Sequence, residues 1–289
     1  MRKFLNSLVM SGLLATSTVA SAGPVVIGGD DLNDHGNWTG TVNASGWLYI
    51  QNALSNLVSQ VTLSGNDGTI VVLGSAPTVP AASTPTSNNG CGAAYWPALA
   101  ISRTVTCIDG AAAITAYLGG VASGANRPAV LLYPGSGVSN DVDTAEEAAL
   151  TASAATIAAF VANGGGLLAH SGAYTWLSAL VPGITILGAC QSGSAVLTPA
   201  GIAAFPTITN ANITAGPCHN TFGGNLGGLQ VLARDGTGAN FILGGGAGTT
   251  FAVRAPDPIP TLDRFGLIAL ALALAAAVGL GRKHLKARA

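Results

Sequence analysis

Between Lys3 and Lys283 the chain contains no lysine. Charge of either sign is scarce: 8% of the 289 residues are Asp, Glu, Lys or Arg, against about a quarter in ordinary soluble domains. Residues 23–257 hold four arginines (Arg103, Arg127, Arg234 and Arg254) against eleven acids, a net charge of −7. A lysine-free acidic stretch cannot neutralise a phosphate backbone, which excludes nucleic acid as a partner. Also missing are any Cys-x-x-Cys pair and any Cys/His spacing of a structural zinc site. The cysteines that exist, Cys91, Cys107, Cys190 and Cys218, form an even set, as disulfides in an oxidising compartment require. Of three connectivities, Cys91–Cys107 with Cys190–Cys218 is preferred because each bond closes a short loop. A thiol-catalytic reading of Cys218 beside His219 is the weaker alternative.

The two ends explain part of the 49% hydrophobic content. Residues 1–22 read as a secretory signal peptide: Arg2 and Lys3, an apolar run from Leu5 to Leu14, then Ala20-Ser21-Ala22 as a cleavage site. Residues 265–281 are apolar throughout and span about 25 Å as a helix, the short end of a membrane crossing. Arg282, Lys283, Lys286 and Arg288 follow at once, a basic tail that stays cytoplasmic and leaves the domain outside. Residues 251–258 form the linker. The chain therefore reads as exported across the inner membrane and held by its C-terminal helix.

Residues 23–250 alternate short apolar runs with longer amphipathic ones, the pattern of an α/β domain. Strands are expected at 24–29, 68–74, 128–134, 166–170 and 184–188, with an antiparallel hairpin from 229–235 and 240–245. Helices are expected at 45–61, capped by Ser45, at 109–118, in a short piece at 173–181, and at 143–166. In the last of these, Asp143 or Thr144 starts the helix, and Glu146 and Glu147 sit against its positive end. The Pro-, Ser- and Asn-rich stretch 75–96 is expected to be a surface loop. The predicted architecture is a flavodoxin-like three-layer sandwich with a mainly parallel sheet.

Open parallel sheets bind ligands beyond the carboxyl ends of their strands. Those ends carry Asp30, Asp31, Asp34 and His35 after the first strand, Ser136, Ser139 and Asp141 after 128–134, and His170, Ser171 and Tyr174 after 166–170. His219 joins them if its loop returns to that edge. The Asp30–His35 cluster admits three readings: a divalent-metal site, hydroxyl recognition on a carbohydrate with Trp38 or Trp47 as a stacking surface, or a turn cap with solvated neighbours. No cofactor is expected on any stronger ground.

Residues 158–174, "AAFVANGGGLLAHSGAY", resemble the class I glutamine amidotransferase-like superfamily, and within it the trehalose-utilisation-type group. The resemblance extends weakly over 24–245 and implies the fold and a pocket. In the catalytic members that turn carries a nucleophilic cysteine in G-x-C-x-G, with a His-Glu pair downstream. Here Ser171 stands at the cysteine position, or His170 if the register moves by one, and no H-x-E follows. Glutaminase chemistry is therefore not expected; a hydrolase would need Ser171 or His170 with His219.

"IPTLDRFG" at 259–266, followed by an apolar helix and a basic tail, resembles the IPTL-CTERM sorting signal, I-P-T-L-x-x-W-G. Ile259, Pro260, Thr261, Leu262 and Gly266 match, and Phe265 replaces the Trp. The resemblance implies recognition by an exosortase-like membrane transpeptidase, cleavage near the motif, and delivery to the cell surface or its matrix. Pro258 and Pro260 hold the segment extended, where an enzyme at the membrane surface can reach it. The implied partners are that enzyme, the export machinery and a surface glycan or matrix.

Overall fold

The β-branched and leucine-rich runs become strands, and the sheet they form is the frame of the domain. The computed structural model describes residues 23–76, 90–135, 142–188 and 190–245. The expected signal peptide (1–22), linker (251–258), sorting motif and membrane helix (259–289), and Ser136, Ser139 and Asp141, lie outside the described residues.

In chain order the strands are β1 (Val25–Gly28), β2 (Gly36–Trp38), β3 (Asn43–Ser45), β4 (Ile70–Leu73), β5 (Val105–Ile108), β6 (Val130–Tyr133), β7 (Gly166–Ala169), β8 (Ile184–Gly188), β9 (Val196–Leu197), β10 (Asn220–Gly224), β11 (Gln230–Arg234) and β12 (Asn240–Gly245). The helices are α1 (Gly46–Gln60), α2 (Gly90–Ala100), α3 (Ala111–Ser123), α4 (Thr144–Ala152), α5 (Ala154–Ala162), α6 (Leu177–Leu180), α7 (Pro199–Ala204) and α8 (Asn210–Ile213). The main sheet runs β5-β4-β6-β7-β1-β12-β10-β8. Its first five strands are parallel, and β1 meets β12 antiparallel. The expected hairpin is β11–β12.

Alternation along the parallel strands sends side chains to two separate cores. Val26, Val72, Val130, Leu132 and Leu168 meet Trp47, Ile50, Leu54 and Leu57 of α1 on one face. Ile27, Val71, Leu131 and Leu167 meet Ile114, Leu150, Ile157 and Phe160 of α3, α4 and α5 on the other. The result is helix, sheet, helix: a mixed α/β fold with a mostly parallel central sheet, which fits the flavodoxin-like expectation.

Four local expectations need correction. The far end of the expected loop 75–96 is helix α2, whose Cys91, Ala93, Ala94 and Trp96 are buried. Two glycines and Pro97 give it poor intrinsic propensity, so tertiary burial is what holds it. Ser45 makes no capping hydrogen bond; it sits at φ 53° and belongs to β3. The expected helix at 143–166 breaks at Ser153 into α4 and α5, bent by 57°. Its start is as expected, with Asp143 accepting from Glu146 N and Glu146 accepting from Asp143 N, both at 2.8 Å. The helix expected at 109–118 runs on to Ser123 and closes on Gly124 in the left-handed region. Among the described residues no single helix is long and apolar enough to cross a membrane.

Candidate site at the carboxyl edge of the sheet

Because β1, β4, β6 and β7 are parallel, their C-terminal ends share one edge. β1 delivers Asp30 there through Gly28 and Gly29. A Cβ on Gly28 would run into the Asp30 carboxylate, and one on Gly29 into the Asn220 carbonyl. β7 delivers His170 and Ser171.

Asp30 is the knot. It is 0% exposed and His170 is 1% exposed, and His170 Nδ1 lies 2.6 Å from Asp30 Oδ1. The same oxygen accepts from Leu32 N at 3.2 Å. Ser171 N donates to the Asp30 carbonyl at 2.9 Å, and the Asp30 backbone forms an isolated bridge to Cys218. One residue thus joins the segments following β1 and β7 to the segment preceding β10. Tyr49 of α1 stands edge-on to the His170 ring, centroids 6.4 Å apart, and the Tyr174 hydroxyl donates to the Gly28 carbonyl. Burial, then the Asp30 carboxylate, holds both tyrosine hydroxyls well above their ordinary range. Asp30 Oδ2, His170 Nε2 and the Tyr49 hydroxyl are enclosed without a hydrogen-bond partner.

A second, open group lies outside this pair. Asp31 Oδ2 is approached by His219 Nε2 at 3.3 Å and by His35 Nε2 at 3.7 Å. His219 keeps 53% of its side chain exposed. Asn33 Nδ2 donates to Asp34 Oδ1 at 3.3 Å. Burial, then the Asp31 carboxylate, pushes the Asp34 carboxyl up to about 7, while the imidazoles of His170 and His219 pull it down. Among the described residues, no three His, Cys, Asp or Glu side chains are arranged to hold a metal ion.

The edge therefore gathers Asp30, Asp31, Asp34, His35, His170, Ser171 and His219, but in pairings the sequence did not suggest. Ser171 is buried, and no described hydrogen bond joins its hydroxyl to His170 or His219. His219 turns to Asp31 instead. Cys218 is bridged to Cys190, and Cys91 to Cys107, with Cα separations of 5.7 and 5.9 Å, so Cys218 is no nucleophile. Trp47 is fully buried, with Nε1 on the Asn33 carbonyl at 2.7 Å, and cannot be a stacking surface. Trp38 remains partly exposed but stacks on Trp96, centroids 5.3 Å apart. Tyr49 was not foreseen, because it sits inside an apolar helical pattern and reads as core; Tyr174, expected at the end of the 166–170 strand, is there but buried. Clefts of the described surface run along α1, α5 and the end of α3. The carboxyl edge is a candidate by its chemistry.

Residues 257–284 match the IPTL-CTERM motif. No curated protein and no solved structure matches the chain.

Proposed function

We propose that this chain is an exported protein whose sorting signal is cleaved by an exosortase-like transpeptidase. The α/β domain, on an amidotransferase-like framework, then serves in binding or surface structure and not in catalysis. The IPTL-CTERM motif at 257–284 carries the reading, since it marks the chain as cargo for an exosortase-like enzyme at the cell surface. The finer parts rest on geometry. A hydrolase needs a hydroxyl, a base and an orienting acid in one hydrogen-bonded line. Here Ser171 has no described bond to an imidazole, and the one tightly bonded Asp–His pair is closed off from solvent.

Gly245, the last described residue, pairs with Val25 at the amino end of β1, and the Asp30–His219 group lies at the opposite end of that strand.

The test is fractionation of cells expressing the chain with Ile259 to Leu262 replaced by alanines, with mass spectrometry of the mature C-terminus. The wild type should end near residue 259 and reach the surface or medium, and the variant should stay full-length in the membrane fraction. Identical processing of both would sink the sorting reading.

A further inference from the structure

Helix α1 carries no charged residue, yet one side of it is an unbroken stripe of amides and hydroxyls: Gln51, Asn52, Ser55, Asn56, Ser59 and Gln60. The first five of these residues form one wall of a cleft of about 410 Å³, within the roughly 300–1,000 Å³ of small-molecule sites. Ala203 and Ala204 at the end of α7, with Pro206 and Thr207 after it, form the other wall. A second cleft of about 230 Å³ shares Ser55, Ser59 and Ile101 with the first and ends at Arg103. The two make one groove.

The amides in it are already oriented. Asn56 Nδ2 donates to the Ala204 carbonyl at 3.0 Å, and Gln60 Nε2 donates to Asn56 Oδ1 at 2.6 Å. Thr207 Oγ1 donates to Asn52 Oδ1 at 2.8 Å, and Asn52 Nδ2 donates to the Leu48 carbonyl at 2.9 Å. Gln51 Oε1 accepts from Asn43 Nδ2 at 2.8 Å. Each amide nitrogen has two hydrogens, so Asn52 and Asn56 each keep one to offer, and Gln51 and the exposed Ser55 hydroxyl add more. Donors held in place by their own bonds lose little entropy when a ligand arrives. Arg103 at one end is the groove's one charge, so neither a polyanion nor a cation finds compensation along its length. Ile101 and Pro206 supply small apolar patches for C–H faces.

We infer that this groove binds a neutral polyhydroxyl chain, an uncharged oligosaccharide. The inference depends on the binding role proposed above and not on the sorting role.

Full-length protein, purified in a detergent without a sugar headgroup, would be titrated calorimetrically with cellotetraose, maltotetraose and chitotetraose, and with tetragalacturonate as the charged comparison. At least one neutral tetrasaccharide should bind, with tetragalacturonate about tenfold weaker or more. Ser55→Arg, which fills the groove from an exposed helical position, should abolish binding, and Gln51→Ala should weaken it about tenfold, the scale of one lost contact. Ala116→Arg, on the opposite face of the sheet, should change nothing. Neutral sugar bound equally by wild type and both groove variants would overturn the groove while leaving a binding role intact. Preference for the uronate, or no binding of any neutral sugar, would overturn the inference itself.

Discussion

Two Asp–His arrangements lie side by side at the carboxyl edge, and they could hardly differ more. In the inner one, Asp30 and His170 are enclosed and share a single 2.6 Å bond. In the outer one, Asp31 is shared by two imidazoles at 3.3 and 3.7 Å, all with some solvent exposure. The residue types are the same, so the surroundings decide the role. Enclosure turns the inner pair into a fastener between the segments after β1 and β7, because separating it leaves polar atoms buried. Solvent makes the outer group weak in stability terms.

The comparison can be broken at its strongest point first. Asp30→Ala leaves His170 enclosed with neither nitrogen bonded, and leaving a buried polar group unpaired costs about 1–3 kcal/mol, to which the lost Leu32 N bond adds. Urea unfolding should show a large drop in midpoint. A change below about 1 kcal/mol, the scale of a surface pair, would mean the inner pair is no fastener.

Asp34 sharpens the contrast next. Folded, its carboxyl keeps a proton up to about pH 7; unfolded, it releases it near the ordinary 3.8. The folded state thus holds more protons in between, so stability falls as pH rises through that window, and the penalty is complete above about pH 7. Asp34→Asn should remove this slope. At pH 8 it should stabilise the domain by about 1–2 kcal/mol, after allowance for the partial exposure of the group. Parallel stability curves for variant and wild type between pH 5 and 8 would refute this.

The smallest effect is expected at His219→Ala, which removes one exposed contact to Asp31 worth about 0–1 kcal/mol. That difference should shrink further in 1 M salt, where charges are screened within about 3 Å. A loss matching that of Asp30→Ala would erase the distinction between the two groups.

The parallel strands were legible because continuous apolar runs such as "VLLY" and "GLLA" cannot be satisfied except between two covered faces. The start of α4 was legible because the Asp143–Glu146 box is local. Strand β5 escaped because it is an edge strand, only partly buried, and carries no strong apolar run. The break at Ser153 escaped because alanine-rich sequence continues the helical pattern on both sides. Helix α2 escaped because its composition says loop while its position says core. At the candidate site, Asp30 and His170 were each visible as polar residues at strand ends, but their bond was not. They are 140 residues apart, and nothing local specifies that β7, of the other parallel strands, is the neighbour of β1.

By itself the sequence determined the layered α/β class and the C-terminal address, because each rests on a local pattern: apolar period, and a motif readable in an extended segment; for the cysteines it offered a preferred pairing among three. Only the tertiary structure decided which aspartate each histidine meets, that Trp47 is core and not surface, and that the uncharged stripe of α1 faces a cleft. Those facts depend on strand order and helix docking, which are set by the packing of the whole chain and by no single stretch of it.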